Sequence, residues 1–321
     1  MASKELFAPI ESRFQAVSEE PTAGSLQIRN ILSPVDFSES SFKGFAYAIC
    51  LARHFRSRLF LLNTANLSPR AYVGAAEPTA IGELLESDVN QAGAKMRRMA
   101  AEAGLELPEV FMELNEGDIP DHILQSIEEH QIDLVVMGTH GRKGFQRLVL
   151  GSLTDRILHQ SNCPLLVVQS PLRDFVSPGE VEPVHLKTIL LAMDFSPNSD
   201  WALSYGLEWA SEWSAKVIVF HALQESPFFP EHSREKKSAE AWEKMERLVP
   251  AASHKKCTIA CEVGHGAAKD AILQAAEANN VDLIVMGSRG VGRSDPTWGS
   301  TISGVARDGR FPVLAVRHPS D

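Results

Sequence analysis

The chain has 321 residues, about twice the length of a common domain, with 44% hydrophobic and 22% charged residues, as in a folded globular protein. Thirty-one Lys and Arg stand against 41 Asp and Glu, a formal charge of −10, which argues against a general nucleic-acid binder relying on cation–phosphate contacts. No apolar run approaches the ~18 residues of a membrane span, the N-terminus lacks the apolar stretch of a secretory signal, and four scattered cysteines make no disulfide scaffold, so a cytoplasmic protein without nucleic-acid or membrane partners is expected.

In chain order, residues 1–26 form an N-terminal extension, with a short helical pattern over 5–17. Short apolar runs rich in Val, Ile and Leu then recur at 27–35, 57–64, 109–114, 133–138 and 164–168. They read as buried strands of a parallel sheet. Between them, 40–55 and 120–130 carry apolar residues at helical spacing, and 152–160 opens on a capping hydroxyl residue. The stretch 67–85, with Pro69, Gly74, Pro78 and Gly82, reads as a long loop. Residues 171–186, with Pro171, Pro178 and Pro183, are the expected linker. Beyond it the pattern returns: strands at 187–193, 215–222, 258–263, 282–287 and 312–316, and helices at 199–213, 235–247, 267–279 and 300–308.

The return is a duplication. Residues 31–38 recur at 189–196 with five of eight identical, and 133–141 recur at 282–290 with six of nine identical. The offset falls from 158 to 149, so the second copy has lost nine residues between these segments. Strand alternating with helix, five times in each copy, predicts an α/β chain of two tandem doubly wound five-stranded parallel-sheet domains, 27–170 and 187–318.

The chemistry concentrates after the fourth strand of each copy. In the first, Gly138 and Gly141 are followed, after nine intervening residues, by Gly151 and Ser152 at a predicted helix start. Glycines let backbone N–H groups approach anionic oxygens, and a helix N-terminus favours negative charge. Arg142, Lys143 and Arg147 add positive charge to the intervening loop. A tight turn alone would explain one Gly-x-x-Gly, but fits the linked pair less well.

The pattern G-x2-G-x9-G-[ST] after Asp-Leu-Val-Val-Met-Gly138, with Pro34-Val35-Asp36 ending the first strand and Cys163-Pro164 opening the last, resembles the ATP-binding branch of the universal stress protein family. The resemblance implies an adenine nucleotide alpha-hydrolase-like fold with strand order 3-2-1-4-5 in each domain. It implies that Pro34, Val35 and Asp36 meet the nucleoside, that the backbone of Asn63 and Thr64 meets the adenine edge, and that Met137, Gly138, His140, Gly141, Arg142, Gly151, Ser152, Leu153 and Thr154 surround ribose and phosphates. The ligand implied is ATP, with AMP or ADP as alternatives and Mg²⁺ on the phosphates. Asp36 reads equally as a cap before Ser38, and the two roles are compatible.

The second copy offers Asp194, Gly287, Arg289, Gly290, Gly299 and Ser300, but only eight residues separate Gly290 from Gly299, and Asp295-Pro296 lies among them. The shorter loop, a lost N–H and an added carboxylate weaken the case for phosphate there. Elsewhere, His254, Cys257, Cys261 and His265 suggest a metal cluster, yet in an extended chain the two thiols stand ~13 Å apart, too far to share one zinc. Trp201, Trp209 and Trp213 share helical spacing and read as core or domain contacts. Neither glycine loop carries a Walker lysine, a carboxylate pair for two metals or a recognisable general base, so a regulator or sensor without dedicated catalysis is expected. The alternatives are a slow ATPase and a nucleotide-free dimerisation scaffold. The resemblance implies that the fifth strands of the two domains pair, within the chain as a pseudo-dimer or between chains as a homodimer.

Overall fold

A computed structural model describes residues 26–65, 110–116, 118–138, 151–169, 173–178, 180–224, 231–250, 256–288 and 300–318, with positions 91, 94, 95, 98 and 253 besides; within 251–255, only 253 is among them. Residues 1–25 of the N-terminal extension, the 67–85 loop and most of both glycine loops lie outside the described residues.

The first half contains β1 (Asn30–Pro34), α1 (Glu39–Phe55), β2 (Arg58–Ala65), β3 (Val110–Glu116), α2 (Ile119–Glu129), β4 (Leu134–Gly138), α3 (Ser152–Gln160) and β5 (Leu165–Val168). The second contains β6 (Thr188–Met193), α4 (Pro197–Trp213), β7 (Lys216–Leu223), α5 (Glu231–Leu248), β8 (Ile259–His265), α6 (Ala268–Ala278), β9 (Leu283–Gly287), α7 (Ser300–Asp308) and β10 (Val313–Val316). All ten strands join one sheet, ordered β3-β2-β1-β4-β5-β10-β9-β6-β7-β8. Each half reads 3-2-1-4-5 from its outer edge inward. Pairing is parallel within each half, and only the seam is antiparallel, with Leu166 opposite Leu314.

The sequence dictates this arrangement locally. Strands such as Leu134–Gly138 and Leu283–Gly287 are apolar on both faces, so helices must cover both sides. One apolar layer holds Ile31, Phe45, Leu51, Leu191, Trp209 and Met245 beneath α1, α4 and α5, and the other holds Leu32, Ile123, Ile157, Ile272 and Ile302 beneath α2, α3, α6 and α7. Both layers run through both halves.

Asp133 and its counterpart Asp282 tie the sheet at its amino edge. Asp133 Oδ2 accepts from the backbone N–H groups of Arg29 and Asn30 at 2.8 and 2.9 Å. Asp282 Oδ2 accepts from Lys187 and Thr188, both at 2.9 Å. Each carboxylate thus joins the start of a fourth strand to the start of a first.

The linker is more than a tether. Phe175, Val176, Val184 and Leu186 are buried, Val176 bridges Val184, and the Phe175 ring meets Tyr47 edge-on at 4.9 Å. The Tyr47 hydroxyl donates to Asp174 at 2.8 Å. Burial, reinforced by Asp174, pushes that phenol far above its ordinary range, so it stays protonated. At the pseudo-dyad, His54 Nε2 lies 2.9 Å from Glu212, its counterpart at the 158 offset, and Phe55 lies 5.7 Å from its own counterpart, Trp213. Trp209 is fully buried here, whereas Trp201 is exposed near His318, so the three tryptophans do not form one stripe.

Candidate functional site

The strand order reverses between β1 and β4, and between β6 and β9. In doubly wound sheets the carboxyl edge at such a reversal is where ligands bind. Asp36 follows the end of β1, as expected. Its Oδ1 accepts from the Ser38 backbone N–H at 3.0 Å and from the Ser38 hydroxyl at 2.5 Å. Ser38 in turn caps α1, its Oγ accepting from the Ser41 N–H at 3.2 Å. Between them Phe37 takes φ 61°, a left-handed conformation that phenylalanine rarely adopts. The second copy repeats each device: Asp194 Oδ1 accepts from Ser196 N–H at 3.0 Å, Ser196 caps α4, and Phe195 has φ 62°. Asp36 thus makes a turn onto Ser38, which is itself the cap, and this fixes the carboxylate beside the strand end.

Gly138 closes β4 against the first turn of α1. A Cβ there would stand 2.2 Å from the Ser40 carbonyl oxygen, and one at Gly287 would stand 2.7 Å from the backbone of Asn198. These glycines are demanded by helix packing, whatever binds beside them. Gly151 differs. As the N-cap of α3 it has φ −55° and ψ 136°, which any residue adopts, and no side chain caps the helix there. The first-turn N–H groups of Ser152, Leu153 and Thr154 have no acceptor within the helix, as at any helix start. Thr154 is buried and donates its hydroxyl to the Gly138 carbonyl at 3.2 Å, holding the start of α3 against the end of β4.

Met137 is buried at the end of β4, and Pro34 and Val35 end β1 and its continuation. Asn63 is buried and donates its Nδ2 to the Val35 carbonyl at 2.5 Å, and Thr64 follows it in β2. The structure thus brings Pro34, Val35, Asp36, Asn63, Met137, Gly138, Gly151, Leu153 and Thr154 to one edge. Ser152 and Ser300 are the first residues of α3 and α7, described through their backbone. His140, Gly141, Arg142, Arg289, Gly290 and Gly299 lie outside the described residues.

Two features were missed in the sequence. His221 occupies the place of Asn63, its Nδ1 2.7 Å from the Met193 carbonyl. Lys95 and Lys244 place their ammonium groups 5.3 and 4.0 Å from the Phe37 and Phe195 ring centroids. Both pairs fall on the repeat offsets, 158 for Asn63 and His221 and 149 for the lysines, so aligning the copies end to end would have exposed them.

Among the described residues no group of three or more His, Cys, Asp or Glu is placed to hold an ion. Burial, with Glu246 adding to it, pushes the Cys261 thiol up to about 12, so it stays protonated. His254 lies outside the described residues.

The profile of the Universal stress protein family matches residues 27–169 and again 185–317. A universal stress protein of Methanocaldococcus jannaschii is 29% identical over 174 residues, 53% of this chain and 99% of that protein. One from Bacillus subtilis is 26% identical over 151 residues, 43% of this chain and 97% of that protein. In fold, the chain is similar to a universal stress protein from Archaeoglobus fulgidus, with a TM-score of 0.67 at 23% identity, covering 92% of this chain and 98% of that one. With its profile matched twice in tandem and the strand order repeated in each half, the chain belongs to the universal stress protein family.

Proposed function

We propose that this protein binds ATP, or a related adenine nucleotide, at the carboxyl edge between β1 and β4, and that it acts as a regulator or sensor without dedicated catalysis. The observation that carries this reading is the start of α3. A glycine occupies the cap although its backbone conformation does not require one, and no side chain satisfies the helix start. That leaves N–H donors for an anion. Asp36, held by Ser38, stands at the adjoining strand end and suits the hydroxyls of a ribose. Mg²⁺ would arrive on the phosphates, which need few protein ligands to hold it.

Family membership supports the reading, as does the residue inventory, which offers no Walker lysine and no recognisable general base in either loop. Turnover well above ~1 s⁻¹ would instead favour the enzyme. The internal β5–β10 seam uses the strand edges that a nucleotide-free scaffold would offer to a second chain. We assign the chain to the cytoplasm on composition; among the described residues no helix is long and apolar enough to cross a membrane.

The test is to denature untreated purified protein, identify the released nucleotide by mass spectrometry and count moles per chain. Close to one adenine nucleotide per chain, abolished by Gly151→Val, is expected if the first site dominates. None released, with no uptake of added ATP, would overturn the proposal.

A further inference from the structure

The linker between the halves folds back on itself. The His185 N–H donates to the Phe175 carbonyl at 2.7 Å and the Ser177 N–H to the Pro183 carbonyl at 2.8 Å, so this stretch is a two-legged strap. Its returning leg buries Val184 and Leu186 on the way into β6, and its outgoing leg lies against α1. There Phe175 meets Tyr47, while Asp174 accepts from the Tyr47 hydroxyl and, at 2.5 Å, from the Lys43 ammonium. Beneath this cover Tyr47 is fully buried.

Among the described residues, the other side of the pseudo-dyad keeps only the returning leg. At the 158 offset Val184 and Leu186 correspond to Leu26 and Ile28, which are likewise buried on the way into β1. The Gln27 N–H, which corresponds to that of His185, meets no acceptor among the described residues. On α4, Tyr205 corresponds to Tyr47 and Trp201 to Lys43. Tyr205 is only half-buried, Trp201 is 39% exposed, and no described carboxylate accepts from the Tyr205 hydroxyl.

We propose that this face of α4 is the docking surface for residues 16–25 of the same chain, which complete with Leu26–Ile28 a second strap equivalent to the linker. The occupant is tethered, because residue 25 adjoins Leu26, so docking needs no encounter between separate molecules. Pro21 and Gly24 fall within the stretch that matches the linker's turn at Pro178 and Gly179, and supply the same turn-forming residue types. Val17 stands at the place of Phe175, an apolar residue to face Tyr205. The ion pair is exchanged at both ends together: Lys43 and Asp174 on one side correspond to Trp201 and Ala16 on the other. A lysine facing alanine would lack its anion and an aspartate facing tryptophan its cation, whereas each side here holds a matched pair. The linker runs from α1 of the first half into β6 of the second, and this strap runs from α4 into β1, tying the halves reciprocally.

The full chain is followed by hydrogen–deuterium exchange and mass spectrometry. In the wild type, amides within 17–27 should exchange about tenfold or more slowly than those of an isolated peptide of the same sequence, independent of protein concentration. Trp201→Lys changes an exposed position and should release that protection while leaving 175–185 unaltered. Adding Ala16→Asp recreates the Lys43–Asp174 pair and should restore it, and Val17→Asp alone should release it. Unprotected amides in the wild type overturn the inference, as does protection that survives both Trp201→Lys and Val17→Asp. No rescue by Ala16→Asp overturns the equivalence with the linker. Protection that fades on dilution makes a second copy of the chain the occupant and overturns the proposal as well.

Discussion

Gly138 and Gly151 belong to one sequence motif and do different work. At Gly138 an added methyl meets the backbone of α1, which cannot swing aside as a flexible side chain would. Gly138→Ala should therefore cost about 1–3 kcal/mol of stability in urea denaturation, with or without nucleotide. Gly151→Val, in a conformation valine tolerates, should cost no more than about 1 kcal/mol of cap preference and still abolish nucleotide uptake. Equal loss of stability in the two variants would show that Gly151 is also a packing residue. The spacing in the sequence pointed to the motif but could not divide its glycines, because the neighbour that demands Gly138 is Ser40, 98 residues away.

Helices and strands were legible almost to their ends. The predicted 152–160 and 300–308 helices are Ser152–Gln160 and Ser300–Asp308, and strand limits moved by three residues or fewer, because short apolar runs bounded by Gly, Pro and Asp leave little freedom. The linker was not legible: proline content announced a break, while its packing depends on Tyr47, Phe175 and Asp174, distant in sequence and joined only by the fold. Between α6 and α7 another such meeting occurs. Lys269 reaches Asp308 at 2.7 Å, and Arg307 bonds the same carboxylate at 2.7 Å. These two bonds hold the Asp308 carboxyl down to about 2. A carboxylate depressed in the folded state stabilises above its unfolded value near 4 and loses that contribution as pH falls toward 2. Asp308 is part-exposed and its partners more so, so the effect is about 0.5–1 kcal/mol. Asp308→Asn should lower the melting temperature slightly at pH 7 and much less near pH 2. An equal deficit at both pH values would point to packing instead of charge.

At the scale of the molecule, two apolar layers run without interruption across the seam, and His54, Phe55, Trp209 and Trp213 meet at the pseudo-dyad. The halves should therefore unfold together, in one denaturation transition reported alike by tryptophan fluorescence and circular dichroism. Leu314→Glu places a charge at the buried centre of β10 opposite Leu166 and should separate that transition into two, or lower its midpoint by several kcal/mol of stability. A midpoint unchanged by Leu314→Glu would mean that the seam contributes nothing to the coupling.

The antiparallel pairing of Val313, Leu314 and Ala315 with β5 carries a directional consequence. Every strand of the first half points its carboxyl end one way, and every strand of the second half points the other. The carboxyl ends of β4 and β9 therefore lie at opposite rims of a single sheet. The duplication has built a two-ended body, in which each rim is free to diverge while the shared core between them stays the same.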